Sequence, residues 1–421
     1  MNICATNVGV RLVIVMKKMQ YHSIFKYRVE SELNIVNNLK EEVTMSKRKI
    51  TAIIVVCMLI VTMFAMAACK KEAEPPAPAP APTTTDDSAV TEAAGNAVEG
   101  DIPEGLEIAY YVSTLNNGYH QGDANWAKKY AKEAYKANVT IMDGKSDNKV
   151  MAENAELTLA GGYDMASWFV WNGDTIQPTV EECIQGGMTS NMFYQEVGTI
   201  QMPFIYVIER EAAFKMGEVA ATKWKEWYPD KPIKYAVIGW MENPTVDRER
   251  TFPFVDGVKS VDPNAEAVGM LDAGGGTQVA YGVAQDLLQA HPEVNIIYAE
   301  SNDLVIGVMT ALQEAGRGKA VDGVCTTEIV CSTDAPEQEI KDMYNPSLAL
   351  KVTMSMTPKD NALARLDNLV EIRTGKIDQN TYLEINTYDK EMDFWNTKPE
   401  DAIAFFNDQY MGNLTLADLG L

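Results

Sequence analysis

The feature that most constrains this chain is an alternation of short apolar runs with amphipathic stretches, which begins near Leu106 and restarts near Lys234. The first series reads LEIAYYVS, NWAKKYAKEAYKA, NVTIMDG, DNKVMAENAELTLAGG and MASWFVW. The second reads KYAVIGW, RERTFPFVDGVKSV, AEAVGMLDA, TQVAYGVAQDLLQAH, NIIYAES and LVIGVMTALQEAG. Such alternation predicts parallel sheets flanked by helices. Two consecutive series predict an α/β protein with two similar Rossmann-like lobes.

This arrangement also predicts where a ligand binds. In open α/β sheets, ligands lie beyond the carboxyl ends of the strands, where the strand-to-helix loops converge. With two such lobes facing each other, the natural site is the cleft between them. In the helix TQVAYGVAQDLLQAH, the apolar residues Val279, Val283, Leu287 and Leu288 recur at near-helical spacing. We expect that face to pack on a sheet rather than to form a site.

The N-terminal part of the chain has the residue pattern of an export signal. Three basic residues, Lys47 to Lys49, precede an uncharged stretch from Ile50 to Ala68, which ends in AMAAC. This pattern predicts a lipoprotein signal at residues 45–68, with Cys69 lipidated as the first mature residue. The alternative is a retained transmembrane helix, because the apolar run is just long enough to span a bilayer.

An export signal should start close to its basic head, so residues 1–44 fit neither alternative. Residues 40–44 can be encoded by AAG GAG GTG AC, which reads as a ribosome-binding site before a start codon at Met45. We therefore expect residues 1–44 to be an upstream extension that is not part of the protein. Residues 69–104 are rich in Pro, Ala and Thr with almost no large apolar side chain, which predicts an extended tether.

The charge and cysteine content exclude several classes of protein. Of 36 Lys and Arg and 59 Asp and Glu residues, 9 and 4 fall before Cys69, which leaves 27 basic and 55 acidic residues. A surface this acidic is a poor partner for nucleic acid. The three cysteines after Cys69 are an odd number, which argues against a disulfide framework. We expect buried thiols, with a bridge between Cys325 and Cys331 as the alternative.

From about Leu106 to Asn386 the chain resembles the ribose-binding type of periplasmic binding protein. Four stretches carry the resemblance: VSTLNNGYHQG, VDRERTFPFVDGV, LLQAHPEVNIIYAESNDLVIGVMTALQEAG, and VCSTDAPEQE followed by VTMSMTPKDNA. It implies two lobes joined by three crossings, the first formed by residues 105–208 plus 357–384 and the second by residues 209–356 plus 385–421. It also implies a monomer that needs no cofactor, captures a sugar-like ligand and delivers it to an ABC transporter permease.

The resemblance also implies a set of ligand-binding residues. By position in the four stretches these are Asn117, Tyr119, His120, Arg250, Asn302, Asp303 and Asp334. The family's Asn-Asp pair aligns with either Ser301 and Asn302 or Asn302 and Asp303, so any of these three residues is a candidate ligand contact. The ribose binders have a Gln where this chain has Met356, and an Asp-Arg pair where it reads NMFYQE, which leaves Tyr194, Gln195 and Glu196 as candidates. These departures argue against ribose itself.

The residue types suit a sugar, which presents hydroxyl groups on a ring with apolar faces. Trp168 and Trp171 lie three apart near a predicted strand end, so only one can face the cleft; we favour Trp171, which lies nearer the loop. For Trp240, which ends a predicted strand, a position in the cleft and a position in the core both remain open. Arg250, in the first turn of a helix, is poorly placed for the helix dipole, so we expect a ligand to compensate it, with a salt bridge to Asp247 or Asp256 as the alternative.

Competing functions have less support in the sequence. An enzyme would need a nucleophile with its base or a metal cluster, and after Cys69 the chain holds only His120 and His291. A DNA-binding repressor with the same two lobes would carry a helix-turn-helix where this chain has an export signal. A receptor that reports to a membrane sensor or chemoreceptor, or one that binds a nucleoside, would have the same sequence features.

Overall fold

The computed structural model describes residues 102–421 except Glu242 and Gly275. The expectations for the upstream extension, the export signal, Cys69 and most of the tether therefore lie outside the described residues. Within the described part of the chain, none of the helices combines the length and the apolar character that crossing a bilayer requires.

The regular elements alternate along the chain as the sequence predicts. The strands are β1 (Glu107–Val112), β2 (Asn138–Asp143), β3 (Met165–Trp168), β4 (Thr189–Phe193), β5 (Phe204–Ile208), β6 (Lys234–Gly239), β7 (Glu266–Asp272), β8 (Ile296–Ala299), β9 (Ala320–Val321), β10 (Val324–Cys325), β11 (Ile329–Thr333), β12 (Leu350–Ser355), β13 (Glu384–Tyr388) and β14 (Lys390–Asp393). The helices are α1 (Gly118–Tyr135), α2 (Asn148–Ala160), α3 (Gly173–Gln185), α4 (Arg210–Trp227), α5 (Phe252–Val261), α6 (Thr277–Ala290), α7 (Asn302–Glu314), α8 (Glu337–Tyr344), α9 (Pro358–Arg373) and α10 (Pro399–Tyr410).

The strands form two six-stranded sheets, which confirms the predicted α/β class with two lobes. The first sheet has the spatial order β2-β1-β3-β4-β5-β13, and the second has the order β7-β6-β8-β11-β12-β14. Within these two sheets all pairings are parallel except that between β12 and β14, and the remaining strands β9 and β10 form a separate antiparallel pair. In both sheets the first five strands therefore follow the doubly wound order 2-1-3-4-5, which places a crevice beyond the carboxyl ends of the central strands.

The chain passes three times between the sheets: between β5 and α4, between β12 and α9, and between β13 and β14. The sequence-based boundary at residue 384 is wrong. Residues Glu384–Tyr388 form β13, which pairs in parallel with β5 at the edge of the first sheet. The third crossing therefore lies at Asp389.

Helix α6 confirms most of the core-packing face expected from the sequence. Leu287 is buried, and Val283 and Leu288 are partly buried against the same core, whereas Val279 is 44% exposed. The helix also packs so closely on α7 that a Cβ atom at Gly307 would lie 2.3 Å from the carbonyl oxygen of Thr277.

Two glycines determine how helices α4 and α5 cross in the second lobe. A Cβ atom at Gly217 would lie 2.1 Å from the carbonyl oxygen of Phe254, and one at Gly257 would lie 2.0 Å from that of Phe214. Real Cβ atoms cannot approach so closely, so each helix uses a glycine where the backbone of the other passes. The close crossing holds α5, and the turn before it, against α4.

Helix α9 is attached to the first sheet by a buried arginine. The Arg365 side chain is fully buried; its Nη1 lies 2.9 Å from Asp123 Oδ2, and its Nε donates to Ser167 Oγ at 2.8 Å. Nη2 donates to the carbonyl oxygens of Tyr111 and Ser167 at 2.8 and 3.1 Å. Burial raises the pKa of Asp123 to about 6, against the opposing effect of the Arg365 charge.

The cysteines of the described residues, Cys183, Cys325 and Cys331, are buried and free. Burial raises the pKa of Cys183 to about 11 and that of Cys325 to about 12. These groups therefore remain protonated thiols at neutral pH and act as small apolar side chains of the two cores.

Candidate functional site

The cleft between the lobes holds a pocket, with about 470 Å³ of non-atom space when the open solvent at its mouth is included. Its walls come from the loops that follow the carboxyl ends of strands in both sheets. The first lobe contributes Ser113, Thr114, Asn117, Tyr119, His120, Ser146, Phe169, Trp171, Phe193 and Tyr194. The second lobe contributes Trp240, Arg250, Ser301, Asp303 and Asp334, and Met356 lies at the second crossing. The pocket therefore occupies the crevice that the sheet topology predicts.

The structure brings together nine of the ten ligand-binding residues proposed from the sequence. The nine that line the pocket are Asn117, Tyr119, His120, Trp171, Tyr194, Arg250, Asp303, Asp334 and Met356. The tenth, Asn302, lies outside it, as do the candidates Gln195 and Glu196.

Helix α7 determines the register around Asn302. Ser301 is the N-cap of this helix, and its Oγ accepts a hydrogen bond from the backbone N–H of Leu304. Asn302 is the first helical residue, and its side chain points away from the pocket, donating from Nδ2 to Glu339 Oε2 at 2.8 Å. Ser301 and Asp303 therefore face the pocket, and Asn302 contributes only its backbone N–H, which donates to Asp334 Oδ2 at 2.9 Å.

Asn117 connects the two lobes across the pocket. It is the N-cap of α1, and its Oδ1 accepts hydrogen bonds from the backbone N–H groups of Tyr119 and His120, the usual role of asparagine at this position. Its Nδ2 donates to Asp334 Oδ2 of the second lobe at 2.8 Å. A Cβ atom at the adjacent Gly118 would lie 2.8 Å from Pro336, so the lobes are in contact at this point.

Arg250 lies in a π-helical turn, Asp247–Thr251, that follows β6 and leads into α5. The residue is 5% exposed, and its salt-bridge partner is Glu209 at the first crossing, whereas the alternative considered from the sequence was Asp247 or Asp256. Nε and Nη2 donate to the two Glu209 carboxylate oxygens at 2.7 and 2.5 Å, and Nη1 donates to the carbonyl oxygen of Glu300 at 2.6 Å. Arg250 is thus fixed as part of the pocket wall.

Three pocket residues hold backbone conformations that L-amino acids rarely adopt. Ser146 has φ = 54°, Tyr194 has φ = 63° and Asp334 has φ = 98°. Strained backbone of this kind persists where surrounding contacts hold it, and it clusters at functional sites. Here Tyr194 donates its hydroxyl to Glu209 at 3.2 Å, and Asp334 is held by Asn117 and Asn302.

The aromatic side chains divide between the core and the pocket. Trp168 is fully buried and packs on Tyr111 at 4.7 Å between ring centroids, whereas Trp171 and Trp240 line the pocket from opposite lobes. Their rings stack with centroids 5.7 Å apart and an interplanar angle of 17°, and Trp171 Nε1 donates to Ser113 Oγ at 2.9 Å. Together the two tryptophans form one apolar wall of the pocket.

His120 supplies a neutral polar group to the pocket. Burial, assisted by the positive charges of Arg365 and Arg250, lowers the pKa of His120 to about 3, so the imidazole is uncharged at physiological pH. Its Nδ1 has no hydrogen-bond partner among the described residues. A ligand hydroxyl group could satisfy this nitrogen.

Sequence reasoning missed several residues of the site. Ser113, Ser146 and Phe169 come just after β1, β2 and β3, and the predicted strand ends alone would have located them. Glu209 also directly follows a strand, β5, but its contact with Arg250 joins segments 41 residues apart, which position in the chain does not reveal. No three His, Cys, Asp or Glu side chains in the described ranges lie where they could hold a metal ion.

Glu339 lies behind the pocket, and its buried carboxyl group is expected to make the stability of the protein depend on pH. It is 1% exposed, accepts hydrogen bonds from Thr353 Oγ1 and Asn302 Nδ2, and burial raises its pKa to about 8. The folded protein therefore binds a proton here that the unfolded chain releases near pH 4.5. The associated stability is fully present below that pH and is lost as pH rises towards about 8.

Replacing Glu339 with glutamine is expected to remove this part of the pH dependence. Relative to the variant, the wild-type free energy of unfolding should fall by roughly 1–3 kcal/mol between pH 5 and pH 8. Urea unfolding at pH 5 and at pH 8 measures this change in unfolding free energy. The control is Glu337→Gln, at an exposed position of the same helix. An equal decline in wild type and Glu339→Gln would contradict the prediction.

Two sheets with three crossings around a polar and aromatic cleft define a two-lobed ligand-binding protein. The family model described as the periplasmic binding protein domain matches residues 108–376. This chain belongs to that family, which confirms the resemblance seen in the sequence.

Individual relatives are distant. A D-ribose/D-allose-binding protein of Pseudomonas aeruginosa is 22% identical over 300 residues, covering 66% of this chain and 92% of the relative. The crystal structure of a galactofuranose binding protein has a TM-score of 0.60 at 16% identity, covering 72% of this chain and 98% of that one. The myo-inositol binding protein of Caulobacter has a TM-score of 0.58 at 14% identity, covering 70% and 96%. Similarities at this level establish a shared fold.

Proposed function

We propose that this protein captures a small sugar-like ligand, a monosaccharide or related polyol, in the cleft between its lobes. The observation that carries the proposal is the pocket itself. Fixed donors and acceptors on Asn117, Arg250, Asp303 and Asp334 face an apolar wall of two tryptophans. This combination suits a ring that presents both hydroxyl groups and apolar faces. The similar proteins, which include binders of ribose, allose, galactofuranose and myo-inositol, support the same ligand class.

The mechanism we propose is closure of the lobes on the ligand. The structure has contacts that a separation of the lobes would break, namely the Asn117–Asp334 hydrogen bond and the Trp171–Trp240 stack. A ligand that touches both walls would favour the state in which they face each other. Closure would also present a surface made from both lobes, which a membrane partner can recognise.

We further propose that the protein is a lipid-anchored component of an ABC import system. Lipidation of Cys69 and a tether over residues 69–104 would hold a monomeric receptor on the extracellular or periplasmic face of the membrane, within reach of a permease. The sequence pattern around Cys69 and the ABC-transporter solute-binding proteins among the structures of similar fold support this placement.

Binding without catalysis is the role we infer for the pocket. Of its serines, Ser113 accepts a hydrogen bond from Trp171 Nε1 and lies 3.4 Å from Ser146 Oγ, and Ser301 accepts one from the backbone N–H of Leu304. A nucleophile needs a base within hydrogen-bond reach. The contacts of these described residues are those of a site that orients hydroxyl groups.

A thermal-shift screen of the purified protein tests the function. The panel contains pentoses, hexoses, inositols, nucleosides and amino acids. A ligand at a hundred times its dissociation constant should add about 2.7 kcal/mol to the free energy of unfolding, which appears as a raised melting temperature. A response confined to sugars or polyols supports the proposal. Responses confined to nucleosides or amino acids would contradict the ligand class, and no response from any compound would contradict the binding function.

A further inference from the structure

The positive charge nearest the pocket is already neutralised within the protein. Among the described residues that line the pocket, Arg250 carries the only full positive charge, since burial keeps His120 neutral. Glu209 binds the guanidinium group through both carboxylate oxygens, at 2.7 Å to Nε and 2.5 Å to Nη2. This is the bidentate geometry by which an arginine would otherwise grip the carboxylate or phosphate of a ligand.

Most of the other guanidinium N–H groups of Arg250 also have partners within the protein. Of the five N–H donors of a guanidinium group, two serve Glu209, one from Nη1 serves the carbonyl oxygen of Glu300 at 2.6 Å, and one from Nη2 faces Met356 Sδ at 3.6 Å. One N–H on Nη1 is left. A single donor can serve a hydroxyl or ring oxygen, but it cannot form a paired grip on an anionic group.

The rest of the charge around the pocket is acidic. Asp303 and Asp334 line it from the second lobe, and Asp389 lies behind Glu209 at the third crossing. Donors from the described residues do not reach the buried Asp389 carboxyl oxygens, and burial together with the negative charge of Glu209 raises the pKa of Asp389 well above its usual range. Glu209 is the carboxyl group that hydrogen-bonds to the Arg250 guanidinium group.

We infer that Glu209 is a specificity-determining residue which makes the pocket select uncharged sugars and reject sugar acids. This inference rests on the proposed sugar-binding function and narrows its ligand class. Glu209 acts through Arg250, by occupying the guanidinium edge that an anionic ligand would need. A ligand carboxylate would meet Asp303 and Asp334 without a free cationic partner, and such juxtapositions of like charge cost several kcal/mol.

The test compares matched neutral and acidic ligands on the wild-type protein. The panel is D-ribose, L-arabinose, D-galactose and D-glucose, each paired with its uronate, and affinities are measured by titration calorimetry at pH 7. In every pair that binds, the neutral member is expected to bind at least about 100-fold more tightly. A uronate that binds as tightly as its neutral partner would contradict the inference while leaving sugar binding intact. Silence from all eight compounds would contradict the proposed sugar function, and this inference with it.

Replacing Glu209 with glutamine keeps the shape of the side chain and removes its charge. The ratio of uronate to neutral-sugar affinity is expected to rise at least tenfold in Glu209→Gln. The matched control is Glu328→Gln, because Glu328 is also fully buried and paired with an arginine, Arg317, but lies outside the pocket. An equal change of the ratio in both variants, or no change in Glu209→Gln, would contradict the assignment. If Glu209→Gln fails to fold, the wild-type comparison decides alone.

Discussion

Replacing Arg250 with alanine is expected to weaken ligand binding at least about 100-fold, because truncating one partner of a buried, hydrogen-bonded charge pair costs about 2–5 kcal/mol. The variant loses a donor of the pocket wall and frees Glu209 to repel or displace ligand oxygens. It is also expected to lose about 3–5 kcal/mol of unfolding free energy, because the Glu209 carboxylate remains buried without its cation. Calorimetry with the sugar found in the screen and urea unfolding measure the two effects.

Two further variants separate binding from stability. Arg248→Ala changes the same turn at a side chain that is 59% exposed and outside the pocket, so its affinity should stay within about twofold of wild type and its stability within about 1 kcal/mol. Arg250→Ala combined with Glu209→Gln removes both charges, and should regain part of the lost stability without regaining affinity. Unchanged affinity in Arg250→Ala would remove Arg250 from the site.

Replacing Arg365 with alanine is expected to destabilise the first lobe by about 3–5 kcal/mol, the usual cost of breaking a buried ion pair. The guanidinium group joins α9 to Asp123 of α1 and to Ser167 of β3, and it lies 3.6 Å from the centroid of the Tyr110 ring. Truncation leaves the Asp123 carboxylate and two backbone carbonyl oxygens in the core without their donor.

Arg373→Ala is the matched control for this prediction. Arg373 is the last residue of the same helix; its side chain is 33% exposed and lies 3.9 Å from Asp164. An exposed pair at this distance contributes at most about 1 kcal/mol. In urea unfolding, Arg365→Ala should therefore lose several kcal/mol more unfolding free energy than Arg373→Ala. Similar small losses in both variants would contradict the structural role of Arg365.

The sequence predicts the order of strands and helices well, because both lobes depend on local patterns. The apolar runs of the central strands are buried, and the loops that follow parallel strands reach the same crevice. Asn117, in the loop after β1, and Asp334, directly after β11, were predicted from the resemblance of their stretches to the ribose-binding family. The choice of Trp171 over Trp168 as the pocket residue was correct, and it was made because Trp171 lies nearer the loop.

What the sequence could not predict depends on contacts between distant segments. The side chain of Asn302 turns away from the pocket because Glu339, from a different helix, accepts its amide. The partner of Arg250 is Glu209, which lies 41 residues earlier at a crossing. Strand β13 is recognisable only from its pairing with β5, and Val279 is exposed because α7 covers a neighbouring face of its helix. These features follow from tertiary packing, which local periodicity does not encode.

Small-angle X-ray scattering of the wild-type protein, with and without a saturating amount of the sugar that most raises its melting temperature, tests the central claim most directly. If the ligand bridges the lobes in the cleft, its addition should decrease the radius of gyration, because the open population shifts to the compact closed form. Arg250→Ala under the same conditions should show no decrease. An unchanged radius of gyration for the wild-type protein at saturating sugar would contradict capture by closure of the cleft.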